Sequence, residues 1–149
     1  MKISPNGLTL LKRFEGFRAK PYLCSAGVPT IGYGNTYYEN GIRVKLTDSP
    51  IDENWAEQLL KSILTHYELG VDSVTTDNIT QNQFDALVIF AYNVGVVNFK
   101  KSTLLKLVNQ NPNDPNIAKQ FMRWTRAGGK VIKGLVLRRN LESQLYFKV

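Results

Sequence analysis

The sequence predicts an α+β protein, mainly helical, in which a small β-hairpin lobe near the N-terminus is joined by a long helix to a larger helical lobe. Three observations carry this reading. Between Tyr22 and Leu46, Gly27, Pro29, Gly32, Gly34, Asn35, Asn40 and Gly41 interrupt short runs rich in Thr, Tyr, Ile and Val, the pattern of antiparallel strands joined by tight turns. From Trp55 to Tyr67 an apolar stripe recurs at helical spacing. The stretch from Phe84 to Val94 is apolar nearly all round, which marks a buried central helix.

The elements follow in order. Ser4 caps a first helix, with Pro5 at the first helical position where its missing N–H is no loss. Leu8, Leu11 and Phe14 give that helix its apolar spacing, and Gly16 ends it, so Glu15 falls at its C-terminus. After Asp48-Ser49-Pro50 a connecting helix is expected to end at Gly70. Thr80 and Gln83 have capping-box spacing at the head of the central helix, which closes at Gly95. Further helices are expected at about 101–110, 115–125 and 135–147, separated by Asn111-Pro112-Asn113-Asp114-Pro115 and by Ala127-Gly128-Gly129. The lobes then run over about 15–50 for the small one, 51–70 for the connecting helix, and 71–149 with the N-terminal helix for the large one, all within a single domain, 1–149.

Composition narrows the function classes. With 43% hydrophobic and 21% charged residues in 149, the chain suits a folded globular domain. No apolar run approaches the ~18 residues of a membrane span, and Met1–Gly7 lacks the apolar stretch of a secretory signal. Cys24 is the only cysteine, which excludes an internal disulfide and a CxxC zinc site, and His66 the only histidine, which argues against a histidine-built metal site or a Ser-His-Asp triad. The net charge of +7 lies wholly in residues 117–149, where Lys119, Arg123, Arg126, Lys130, Lys133, Arg138, Arg139 and Lys148 face one acid, Glu142. Such a segment favours polyanionic surfaces such as anionic lipid or lipopolysaccharide. It holds no nucleic-acid reader motif, so nucleic acid is not an expected partner.

Glu15 stands between Phe14 and Phe17, where desolvation favours the protonated form that a general acid needs. A surface Glu paired with Arg13 or Arg18 accounts for the same residues. Cys24 reads as a small hydrophobe unless its thiolate is stabilised, and Thr30 as a strand hydroxyl.

Glu15, Cys24 and Thr30, framed by Phe14-Glu15-Gly16-Phe17-Arg18, Pro21-Tyr22 and Thr30-Ile31-Gly32-Tyr33-Gly34, resemble the catalytic spacing of phage-type lysozymes, glycoside hydrolase family 24. Gln83–Val88 leading into Phe90–Gly95, the segment Phe99–Leu105, and Trp124 with Gly128-Gly129 and Gly134–Arg139 are similar to later blocks of that family in the same order. The resemblance implies the two-lobed lysozyme fold with a cleft between the lobes. It implies an endolysin that hydrolyses the β-1,4 bond between N-acetylmuramic acid and N-acetylglucosamine in peptidoglycan, acting as a monomer with no metal and no organic cofactor. Such an enzyme is made in the host cytoplasm and acts in the periplasm.

By that resemblance Glu15 is the acid, and Cys24 with Thr30 orients or activates water, Cys24 standing where the family often has Asp. Arg138 or Arg139 would pair with Glu15, while Tyr92, Asn93 and Ser102 map to cleft-lining positions, where core packing or capping explains them equally well. Two other readings stand beside this one. A lytic transglycosylase on the same scaffold would leave Cys24 and Thr30 idle. A cationic, membrane-active or outer-membrane-permeabilising antibacterial protein would use the helix of Leu135, Leu137, Leu141 and Leu145 with Arg138, Arg139 and Lys148.

Overall fold

The computed structural model describes all 149 residues. Helices α1 (Pro5–Glu15) and α2 (Glu53–Asp72) flank a two-stranded antiparallel sheet of β1 (Arg18–Leu23) and β2 (Pro29–Gly32). Five helices follow: α3 (Gln81–Val94), α4 (Val96–Lys101), α5 (Thr103–Gln110), α6 (Ile117–Phe121) and α7 (Lys133–Tyr146), with a short hairpin, β3 (Arg126–Ala127) and β4 (Lys130–Val131), before the last. The fold is thus mainly helical with small antiparallel sheets, as the sequence predicts. Its residues cluster into two compact units, Thr9–Thr65 and Met1–Leu8 with His66–Val149, so that α1 and α2 each continue from one unit into the other.

In the smaller unit β1 and β2 pair Tyr22 with Thr30 and Leu23 with Pro29, with an irregularity between Arg18 and Tyr22. The sheet begins at Arg18, earlier than expected, and beyond Gly32 only single bridges, Ile31 with Asn35 and Tyr37 with Arg43, continue it. Gly32 has φ +67, and a Cβ there would lie 3.2 Å from the Ala56 Cβ, so the strand end approaches the first turn of α2 as only glycine allows. Leu11, Ile31, Val44, Ile51, Ala56, Leu59, Leu60 and Leu64 are its buried apolar residues.

In the larger unit α3 is buried over Gln83–Ala91, as its apolar surface demands, and the capping box of Thr80 and Gln83 is formed on both sides. Phe90 packs edge-on to Phe99, Phe121 and Trp124 at centroid distances of 6.3, 5.5 and 5.6 Å. The first residues of the chain are pinned by carboxylates. Glu68 accepts from the Ile3 N–H at 2.7 Å, Asp72 pairs with the terminal ammonium at 3.1 Å, and buried Asp85 accepts from both the N–H and the hydroxyl of Ser4. The Ser4 hydroxyl also accepts from the Gly7 N–H at 3.2 Å, making the expected cap.

Three expected boundaries move. Helix α2 continues past Gly70 to Asp72, because this glycine is a packing position: a Cβ there would come 2.9 Å from Val96 Cγ1. The region expected as one helix from about 101 begins instead as α4 at Val96 and is divided by Ser102, whose Oγ accepts from the Leu105 N–H at 3.1 Å and caps α5. The separator at 127–129 is a tight hairpin turn with Gly128 and Gly129 at φ +58 and +77.

Candidate active site

Glu15 is the last residue of α1 and is half-buried. The chain turns immediately after it: Gly16 takes φ +68 and donates its N–H to the Lys12 carbonyl at 2.9 Å. That left-handed step ends the helix and leads directly into β1, with the Phe17 ring 5.7 Å from that of Tyr33. The order helix, glycine, strand therefore sets Glu15 at the mouth of the sheet-bearing segment of its own unit.

Cys24 follows β1 and opens the turn that joins it to β2. Its N–H donates to the Val28 carbonyl at 3.1 Å, and its carbonyl accepts the Gly27 N–H at 2.8 Å, Gly27 taking φ +76 to close the turn. In β2 Thr30, 3% exposed and paired with Tyr22, donates its hydroxyl proton to the Val28 carbonyl at 2.8 Å. The structure thus brings Cys24 and Thr30 together around one turn. Hydrogen bonding from the Val28 backbone, then from Ala26, holds the thiol pKa below its ordinary value; the Thr30 hydroxyl adds to this and desolvation opposes it. The Thr30 hydroxyl carries one proton, so it serves the Val28 carbonyl or a Cys24 thiolate by turns and keeps acceptor capacity in either state. The lowering comes from backbone hydrogen bonds of the turn, whose geometry no residue spacing displays.

The remaining expected residues lie in the larger unit. Tyr92 is half-buried with its ring 4.9 Å from that of Tyr67. Asn93 is exposed, and its Oδ1 accepts from Arg139. Ser102 is buried and its hydroxyl serves the backbone, donating to the Phe99 carbonyl at 2.6 Å while capping α5. Arg138 and Arg139 both meet Glu142, at 3.2 and 2.5 Å, and all three are buried. Arg139 also donates to the Trp124 carbonyl at 3.0 Å, tying α7 to the end of α3 and to the segment before the β3–β4 hairpin. Sequence reasoning placed Glu142 only as the lone acid of a basic segment. Its i, i+3 and i, i+4 spacing from the two arginines was the available signal.

This fold and site carry the marks of the phage lysozymes, and the family model for phage lysozyme matches residues 12–142. The chain belongs to the phage lysozyme family. It is 42% identical over 151 aligned positions to an endolysin of Bacillus phage B103, covering 98% of this chain and 54% of that protein. It is also 36% identical to an endolysin of Acyrthosiphon pisum secondary endosymbiont phage 1, with 98% of each chain covered. The chain spans about half the length of the Bacillus phage relatives it matches. Among solved structures it is similar to the endolysin from Escherichia coli O157:H7 phage FAHEc1, with a TM-score of 0.91 at 35% identity, covering 99% of this chain and 94% of that one. The muramidase domain of SpmX from Asticaccaulis excentricus gives a TM-score of 0.87 at 32% identity, with 99% of each chain covered.

Proposed function

We propose that the chain is a muramidase-type endolysin that hydrolyses the β-1,4 bond between N-acetylmuramic acid and N-acetylglucosamine in bacterial peptidoglycan and so lyses the host cell. The observation that carries the reading is the hairpin turn that sets Cys24 and Thr30 side by side, with backbone hydrogen bonds that lower the thiol pKa, in the same unit as a half-buried carboxyl at the end of α1. Hydrolysis needs a proton for the leaving oxygen and an attacking water on the other face of the sugar. Glu15 supplies the proton as the glycosidic C–O bond breaks. Cys24 and Thr30 hold the water as its oxygen bonds to the anomeric carbon, and the water's proton passes to the thiolate. Attack opposite the leaving group inverts the anomeric centre.

The charge pattern supports a further part of this reading. Lys119, Arg123, Arg126, Lys130 and Lys133 are all exposed, whereas Glu142 is buried, so the cationic excess faces solvent. This surface concentrates the enzyme on anionic cell-envelope polymers or lipids. No helix is long and apolar enough to cross a membrane. The 1–149 domain acts as a monomer on peptidoglycan in the periplasm.

The test is a turbidity assay on purified peptidoglycan with wild type and Glu15→Gln. Loss of the general acid is expected to lower the rate by at least ~10²-fold, within the usual 10²–10⁴ range for such groups. A folded Glu15→Gln protein that turns over normally would overturn the reading. The released fragments give a second check: a reducing N-acetylmuramic acid end agrees with hydrolysis, and a 1,6-anhydro end would assign a transglycosylase instead.

A further inference from the structure

The smaller unit holds a cavity of about 150 Å³ that the chemistry of Glu15, Cys24 and Thr30 does not use, lined by residues that include Asn35, Tyr37, Glu39, Leu59, Ser62 and Ile63. Asn35 is 2% exposed. Its Nδ2 donates to the Leu59 carbonyl at 3.3 Å, which fixes how the amide is turned. Its Oδ1 is buried without a hydrogen-bond donor in the protein. Buried amide oxygens almost always find a donor, so this one marks a place where a donor from outside belongs.

The rest of the cavity says what kind of donor. Leu59 and Ile63 supply aliphatic wall, and the Ser62 hydroxyl and Glu39 carboxylate supply polar groups. Aromatic rings stand at and beside the rim, Tyr37 at 44% and Trp55 at 41% exposure. Neighbouring groups hold this aromatic surface in place. The Tyr38 hydroxyl donates to Asp48 at 2.7 Å, the Trp55 indole N–H donates to Glu39 at 3.2 Å, and the rings of Tyr38 and Trp55 lie 5.8 Å apart. A whole drug-sized ligand needs a pocket of roughly 300 Å³ or more, so this one suits a substituent whose parent lies on the rim.

We propose that this cavity binds the acetamido group of an N-acetylated sugar, with the amide N–H on Asn35 Oδ1, the methyl against Leu59 and Ile63, and the pyranose face on the Tyr37 ring. An acetamido arm joins one N–H donor to one methyl, which is what an orphaned acceptor beside aliphatic wall accommodates. The choice of an acetamido sugar over other N–H donors rests on the proposed function, since both sugars of that substrate carry the group. The pocket is a glycan-holding site and takes no part in bond cleavage.

The test uses the ¹⁵N-labelled Glu15→Gln protein, so that no turnover intervenes, titrated with N-acetylglucosamine, with glucose and with butylammonium. The resonances read are the Asn35 side-chain amide and the Trp55 indole N–H. Saturable shifts of both with N-acetylglucosamine, at least ~5-fold weaker binding of glucose, and loss of the response in Tyr37→Ala and in the cavity-filling Ser62→Phe are expected, ~5-fold being the lower range for a buried acceptor that loses its donor. Both substitutions fall at exposed positions, so each variant should fold. Shifts confined to the surroundings of the substituted position, Cys24 and Thr30, equal binding of glucose, or tighter binding of butylammonium would overturn the proposal. The two readings fail separately. Wild-type protein that releases no fragments from peptidoglycan counts against the hydrolase alone, and intact hydrolysis by wild type without these shifts counts against the pocket alone.

Discussion

Replacing Glu142 by Gln keeps the size of the side chain and removes its charge, and the structure says which of two opposing effects this exposes. Glu142 is 0% exposed and sits against two guanidiniums, Arg138 at 3.2 Å and Arg139 at 2.5 Å. Burial lifts its carboxyl from an ordinary 4.5 to about 7, against the pull of Arg139 and then Arg138, and burial likewise lowers the Arg139 pKa. Here desolvation outweighs attraction, as it can for buried ion pairs.

The sign of the pH dependence follows. The folded value lies above the unfolded one, so the native state holds the proton more tightly. The resulting stability is fully present below about pH 4.5 and is lost as pH rises to about 7. A shift of this size corresponds to a loss on the order of 3 kcal/mol. Glutamine resembles the protonated acid at every pH. Guanidinium-chloride unfolding of wild type and Glu142→Gln at pH 4.5 and pH 8 isolates residue 142, because the other titrating groups cancel in the difference. The two proteins should be close in stability at the lower pH, and the difference should move toward the variant by on the order of 3 kcal/mol at the higher pH. If Glu142→Gln is instead destabilised by about 3–5 kcal/mol at pH 8, the penalty for stripping a buried cation of its partner, attraction wins over burial and the reasoning fails.

Other outcomes test the remaining structure. Cys24→Asp should retain substantial muramidase activity, because a carboxylate at the hairpin turn offers the acceptor that holds water, whereas Cys24→Ala should lose about 10²-fold or more, the lower end of the range for lost acid–base assistance. Cys24→Ala as active as wild type in the turbidity assay would reduce the thiol to a packing residue. Gly70→Ala should lower stability by about 1–3 kcal/mol, because overpacking against Val96 exceeds the ~1 kcal/mol gain in helix propensity; thermal unfolding should show partial recovery when Val96→Ala is added. Lys119→Glu with Lys133→Glu should slow digestion of whole cell walls at low salt and leave hydrolysis of a small neutral oligosaccharide unchanged. The deficit should fade as salt shortens the screening length to about 10 Å at 0.1 M. Equal losses on both substrates would refute surface targeting.

What could be read from the sequence was whatever depends on spacing along one chain segment. The α3 capping box, the helix end at Glu15 and Gly16, and the buried character of Phe84–Ala91 are of this kind. Gly70 misled because a glycine that ends a helix and a glycine that admits a neighbour look alike in sequence. Only the approach of Val96, 26 residues on, distinguishes them. Ser102 is similar, since the same residue type lines a site or caps a helix, and here its hydroxyl is committed to Phe99 and Leu105. In the candidate site, residue identity suggested Glu15, Cys24 and Thr30, but the amides that favour the Cys24 thiolate come from a turn and have no residue signature. The orphaned Asn35 Oδ1 was equally illegible, because what matters there is the absence of a donor in three dimensions.

The larger unit is discontinuous in the chain, closing residues 66–149 around the first eight. During synthesis its N-terminal segment therefore leaves the ribosome first, while the groups that receive it come much later: Glu68 for Ile3 and Asp85 for Ser4, 65 and 81 residues on. The residues of the smaller unit are all made in between. Vectorial folding in order of emergence cannot complete the larger unit, which must wait for nearly the whole chain and then capture its own beginning. Its stability is accordingly exposed at the N-terminus. A change to residues 3 and 4 would be felt first by α2 and α3, because the Ile3 and Ser4 amides are bound by Glu68 and Asp85.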